Sequence, residues 1–178
     1  MGRGCWAGPV VAAAVSLPYG LKLEKLNDSK LVSLQGRLRL DREIRRTALS
    51  IRLGWASAEE VDQQGLTWAV RQSSLRALVH LGQLPDIVIL DGRHNFLQDL
   101  YSSQAIIKAD ALVVPVSAAS IVAKVARDGY MALMDTRYPG YGFGVHMGYG
   151  TQRHRQALRE LGISPLHRRS YRPIKELL

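Results

Sequence analysis

The chain has 178 residues, a single cysteine and a formal charge of +9, with a sequence pI near 10.1. That length buries a core without disulfide or metal staples, and Cys5 alone excludes an intramolecular disulfide and fits a reducing compartment. The charge points to a polyanionic partner, most often nucleic acid, while no apolar run is long enough to span a bilayer and Val10 to Val15 lacks the flanks of a signal peptide.

One cytoplasmic domain over residues 1–178 is therefore expected, with a sheet core at roughly 1–140 and a basic segment at roughly 141–178. The opening Gly2-Arg3-Gly4 leads to Val10 to Val15, an apolar run of the kind that fills a central strand. A loop over Tyr19 to Lys30 ends in the turn-rich Leu26-Asn27-Asp28-Ser29-Lys30, and Leu31 to Leu49 reads as a charged helix with Gly36 its weak point. Ser50 to Trp55 alternates as a short strand. Ser57 and Glu60 have capping-box spacing, and Val61, Trp68, Leu75, Leu78 and Val79 then mark one helix face. Asp86 to Gly92 and Gln104 to Lys108 predict strands, Ser117 to Asp128 a helix rich in small residues, and Thr151 to Leu161 a basic helix stopped by Gly162. Strands alternating with helices give an α/β class.

Chemistry is sought among the acids, because a divalent cation needs hard oxygen ligands and a basic chain has few to offer. Asp91 and Asp110 stand at the ends of expected strands, where ligands collect in open α/β sheets. Either alone also reads as an ordinary turn residue. His146, His154 and His167 match no zinc spacing, which leaves phosphate-directed or structural roles. Gly2-Arg3-Gly4 offers bare amides that suit a phosphate or sugar hydroxyl, but it is neither a P-loop nor a dinucleotide fingerprint. From Thr151 onward seven Lys or Arg face two Glu; charge alone leaves open a solvated tail or a phosphate-binding face. Trp6, Tyr141 and Phe143 read as packing.

Taken together, Gly2-Arg3-Gly4 with Ala7 to Val15, Leu26 to Lys30, Leu90-Asp91-Gly92, Lys108-Ala109-Asp110, Ser117 to Ile121 with Ala123-Lys124-Val125, Gly148-Tyr149-Gly150-Thr151 and His167-Arg168-Arg169-Ser170 resemble bacterial ribonuclease HII in order and spacing. The match covers essentially the whole chain. The resemblance implies a ribonuclease H-like fold, a mixed central sheet flanked by helices with a helical C-terminal part. It also implies Mg²⁺- or Mn²⁺-dependent two-metal cleavage of the RNA strand of RNA–DNA hybrids and nicking at ribonucleotides embedded in duplex DNA, leaving 5′-phosphate and 3′-hydroxyl ends, in DNA replication and repair.

Of the family's four carboxylates, only the last two map here, onto Asp91 and Asp110 as catalytic metal ligands. The family's Asp-Glu before Gly-Arg-Gly has no counterpart, and Met1 stands where Val or Ala is usual. A start codon assigned too late, or true degeneration, accounts for the difference, and the chain as written is expected to be nearly inactive. By the same resemblance, Gly2, Arg3 and Gly4 with the Tyr149 ring sense the ribose 2′-hydroxyl, and Lys30, Lys124, Arg3, Arg168 and Arg169 contact phosphates. Met147 departs from the family's usual Lys. A monomer is expected; a catalytically inactive hybrid- or duplex-binding homologue is the rival, and a basic ribosome-associated module leaves the two acids unexplained.

Overall fold

The apolar run after the opening glycines forms β1 (Val10–Ser16), as its unbroken hydrophobicity predicts. The structure, a computed structural model, describes residues 1–21, 23, 33–82 and 84–178. The expected turn cluster at 26–30, and Lys30 with it, lies outside these residues. α1 (Leu34–Thr47) begins after Ser33, whose hydroxyl accepts from the Gly36 amide, so the glycine sits inside the capped first turn. β2 (Ser50–Ala56) pairs with β1.

α2 (Ala58–Gln64) opens with the expected capping box: the Glu60 amide donates to Ser57 Oγ at 3.0 Å and the Ser57 amide to Glu60 Oε2 at 2.8 Å. The apolar spacing from Val61 to Val79 predicts one continuous helix, yet Gly65 at φ 83° ends α2 and the chain resumes as α3 (Leu66–Val79). A left-handed glycine terminates the hydrogen-bond ladder without interrupting the apolar stripe, so periodicity alone does not reveal the break.

β3 (Val88–Asp91) and β4 (Ser103–Ile106) run parallel, with Asp91 opposite Ile106. β3 is shorter than the expected 86–92, and less buried, since Ile87 lies outside it half exposed. A single turn, α4 (Ala109–Leu112), follows, and α5 (Val114–Arg137) begins ahead of Ser117 and continues past Asp128. Pro115 falls in its first turn, where a missing amide proton removes no helical bond. α6 (Phe143–His146) is one turn within the irregular glycine-aromatic stretch. α7 (Gln152–Leu161) is capped by Thr151 and stopped by Gly162 at φ 72°, and α8 (Arg172–Lys175) follows. Among the described residues the strands form two pairs, β1–β2 and β3–β4.

The chain divides into two units, each assembled from separated stretches. Unit 1 is Met1–Val11, Trp55–Ser73 and Ala126–Leu178; unit 2 is Ala12–Gly54 and Ser74–Val125. The division does not follow the expected core and basic segment. Unit 1 packs Met131, Phe143 and Ala157 in one cluster and Val10, Val61 and Ala69 in another. Unit 2 packs Leu40, Ile44 and Ile121, and separately Leu78, Val88 and Leu97. Fully buried side chains such as Ile44 and Leu97 contribute about 2 kcal/mol each by leaving water. No helix among the described residues is long and apolar enough to cross a membrane.

Candidate active site

In unit 2 both candidate acids stand at the carboxyl end of the parallel strand pair. Asp91 closes β3 with its side chain exposed, and the next amide, Gly92, donates to the Ile106 carbonyl at 3.0 Å. After β4, Lys108 takes a left-handed conformation at φ 59° and turns the chain into α4, which packs against β3. Asp110 lies on that turn, only 7% exposed. Its carbonyl accepts from the Ser117 hydroxyl, tying the turn to α5. The turn from Ile106 to Asp110 thus folds an acid back towards the strand that ends in the other acid.

The donor set suits a hard divalent cation in kind, since carboxylate oxygens are what Mg²⁺ and Mn²⁺ prefer. In number it falls short: among the described residues no group of three or more His, Cys, Asp or Glu is gathered as a metal site.

Unit 1 holds the Gly-Arg-Gly turn. Gly2 adopts φ 80°, and a Cβ there would meet Arg127 Nε at 2.3 Å and the Pro9 carbonyl at 2.7 Å, so only glycine fits. Arg168, expected at a phosphate, is fully buried instead. Its guanidinium donates to the carbonyls of Gly2 at 2.8 Å, Arg3 at 3.1 Å and Gly8 at 3.1 and 2.8 Å, and to the Tyr171 hydroxyl at 2.9 Å. These contacts use all five of its N–H donors, which leaves none for a substrate. The phosphate role is therefore corrected to an internal one: Arg168 turns the carbonyls of the opening turn inward, while Arg3 and Gly4 remain exposed. Burial lowers the pKa of Arg168, opposed by the neighbouring Tyr171.

Arg127 acts in the same way one turn of chain further on, donating to the carbonyls of Pro9 at 3.0 Å, Ala7 at 3.1 Å and Met147 at 2.8 Å. No local pattern marks a helical Arg as buried, so this role was not legible beforehand.

Tyr149 is 42% exposed and is carried on a stretch stitched to Trp6 and Ala7. The amides of Trp6 and Ala7 donate to the Gly148 carbonyl at 2.8 and 3.3 Å. A Cβ on Gly148 would lie 2.3 Å from the Ala7 carbonyl, and one on Gly150 would lie 2.2 Å from the Trp6 ring. The glycines flanking Tyr149 are thus required by close backbone approach. The Tyr149 pKa is raised by burial and by the adjacent Cys5. Met147, at φ 51°, packs against the buried cluster of unit 1.

The remaining expected contacts fall on different surfaces. Lys124 is half buried on α5 in unit 2, and the Arg169 side chain is exposed in unit 1. The Arg169 segment is held by Asp62, whose carboxylate accepts from the Arg169 amide at 2.8 Å, the Ser170 amide at 2.9 Å and the Ser170 hydroxyl at 2.6 Å. Asp62 carried no signal in the sequence, its partners being more than 100 positions away. The three histidines are buried, His154 and His167 bonded to each other at 2.9 Å, and burial holds both down to about 4.

The family model described as Ribonuclease HII matches residues 1–174. The chain is 48% identical to the ribonuclease HII of Dichelobacter nodosus over 99% of its own length and 93% of that protein, and 44% identical to that of Herpetosiphon aurantiacus over 98% and 86%. Among solved structures it is similar to the ribonuclease HII in the PCNA complex from Archaeoglobus fulgidus, with a TM-score of 0.82 at 26% identity over 97% of this chain and 92% of that one. The ribonuclease H2 of Pyrococcus horikoshii, at 23% identity with a TM-score of 0.85 over 99% and 93%, shares the ribonuclease H-like fold. The chain belongs to the ribonuclease HII family, metal-dependent endoribonucleases that act on RNA–DNA hybrids.

Proposed function

We propose that this protein hydrolyses the RNA strand of RNA–DNA hybrids and nicks duplex DNA at embedded ribonucleotides, leaving 5′-phosphate and 3′-hydroxyl ends, as one monomeric domain serving replication and repair in the cytoplasm. The observation that carries the reading is the placement of Asp91 at the end of β3 and of Asp110 on α4, the turn that follows β4 and packs against β3. These two acids would hold Mg²⁺ or Mn²⁺. Two such ions supply an activated water at neutral pH and charge stabilisation for the leaving oxygen.

The chain's own residues do the rest. The Gly2-Arg3-Gly4 backbone, exposed at Arg3 and Gly4, and the Tyr149 ring sense the ribose 2′-hydroxyl, the group that separates RNA from DNA. Arg3, Arg169 and Lys124, with Lys30, meet phosphates, giving affinity and salt dependence without sequence preference. Arg168 contributes by holding the opening turn.

A polypeptide of residues 1–178 brings two of the family's four acids, and on this reading it binds hybrid but cleaves it poorly. Placing Asp-Glu directly ahead of residue 1, so that Met1 keeps the position usual for Val or Ala, restores metal-dependent cleavage of a duplex carrying one ribonucleotide. Equal activity of the two polypeptides overturns the account of the acids. The absence of any three-residue metal group among the described residues favours a second reading, a hybrid-binding protein without catalysis. Binding by both polypeptides with cleavage by neither selects it.

A further inference from the structure

Three buried histidines in unit 1 form a chain of hydrogen bonds whose direction is fixed at both ends by backbone groups. The Ser164 amide donates to His167 Nδ1 at 2.8 Å, so that nitrogen carries no proton and His167 Nε2 must. His167 Nε2 faces His154 Nε2 at 2.9 Å, so the proton on His167 is donated and His154 Nε2 accepts it. His154 is then protonated on Nδ1, which donates to the Tyr149 carbonyl at 2.9 Å. Beside it, stacked on His154 with centroids 4.2 Å apart, His146 accepts from the Gly148 amide on Nδ1 at 3.1 Å and donates from Nε2 to the Tyr141 carbonyl at 2.8 Å. Every ring nitrogen in the trio has a partner, and each ring is neutral in one defined tautomer.

The output of this chain is the backbone on either side of Tyr149. Its carbonyl is taken by His154 and the preceding amide, Gly148, by His146. Glycines on both sides leave that backbone little intrinsic stiffness. We propose that His154, oriented by His167, is a positioning residue for Tyr149, setting the phenol that reads the ribose hydroxyl; this rests on the proposed role of Tyr149. A further proton has no place to go. On His154 Nε2 it would oppose the proton donated by His167, and on His146 Nδ1 it would oppose the Gly148 amide. The charged groups acting on the trio are Arg153 and Asp135, both at His146, with Trp6, Tyr141 and Phe143 supplying the remaining ring contacts.

Two substitutions separate positioning from mere packing. The amide nitrogen of Asn overlays Nδ1 of histidine and that of Gln overlays Nε2, so His154→Asn keeps the donor to Tyr149 and His154→Gln loses it. The readout is the ratio of affinities of the 1–178 polypeptide for a duplex with one ribonucleotide and for the same duplex as DNA, measured in EDTA. His154→Asn is expected to keep the wild-type ratio and His154→Gln to lower it about fivefold, with DNA affinity unchanged. Equal ratios for the two variants overturn the proposal. A wild-type ratio of one instead overturns the ribose-reading role of Tyr149, and the proposal with it. Should His154→Gln fail to fold, imidazole ¹⁵N spectra of the wild type decide: Nδ1–H on His154 with Nε2–H on His146 and His167 supports the chain, and any other pattern overturns it.

Discussion

In unit 1 the residues read as recognising substrate are held by polar side chains: two buried guanidiniums, three buried imidazoles and one half-buried carboxylate fix the Gly-Arg-Gly turn, the Tyr149 stretch and the Arg169 segment. In unit 2 one candidate acid is exposed at the end of β3 and the other is buried on a single helical turn after β4, tied to α5 through Ser117. The contrast follows from the chemistry asked of each. A surface that distinguishes one hydroxyl must be rigid to within a hydrogen bond, and dense internal wiring gives that rigidity. Carboxylates that bind cations are oriented by the cation once it arrives, so strand ends suffice to bring them near.

The contrast breaks most sharply at the acids. In the polypeptide bearing Asp-Glu ahead of residue 1, Asp91→Asn or Asp110→Asn is expected to lower cleavage on the order of a thousandfold while hybrid affinity in EDTA and the unfolding midpoint stay unchanged. A parallel loss of stability would instead make the acids part of the fold. In unit 1 the reverse pattern is expected. Arg168→Met orphans the carbonyls of Gly2, Arg3 and Gly8 and costs about 4 kcal/mol in urea unfolding. Arg168→Lys, with three donors, recovers part of it. A loss below about 1 kcal/mol would show those carbonyls finding water at no cost.

The smallest effect is on acid stability. Burial holds His154 and His167 at about 4, below the ordinary 6.5, so the unfolded chain takes up protons first as pH falls. Their contribution is complete above pH 6.5 and is lost progressively between 6.5 and 4, roughly 2 kcal/mol for the pair by pH 5.5. Urea midpoints measured at pH 7 and 5.5, above the range of ordinary carboxylates, read it directly. Unchanged midpoints would mean that the rings are reached by water.

Local signals were legible in the sequence and long-range ones were not. Val10 to Ser16, the Ser57 box and the α7 cap follow from neighbouring residues, and they stand where the pattern puts them. The break at Gly65 was hidden because the apolar stripe continues across it, and α5, expected from Ser117, starts at Val114 because Pro115 fits the first turn of a helix. At the candidate site, Asp91 and Asp110 drew notice because expected strand ends mark them. Arg168 was assigned to phosphate because a sequence displays charge and conceals burial. Arg127 and Asp62 went unnoticed because their partners lie about 110 to 120 positions away.

The span of those contacts bears on synthesis. The carbonyl of Gly2 meets the guanidinium of Arg168 across 166 positions. The glycine turn therefore leaves the translating ribosome long before the side chain that shapes it has been made. Until then its inward carbonyls have only water, and the turn lacks the donors that fix its form. A nascent chain of this protein fixes its first turn only once nearly all of these residues have been made.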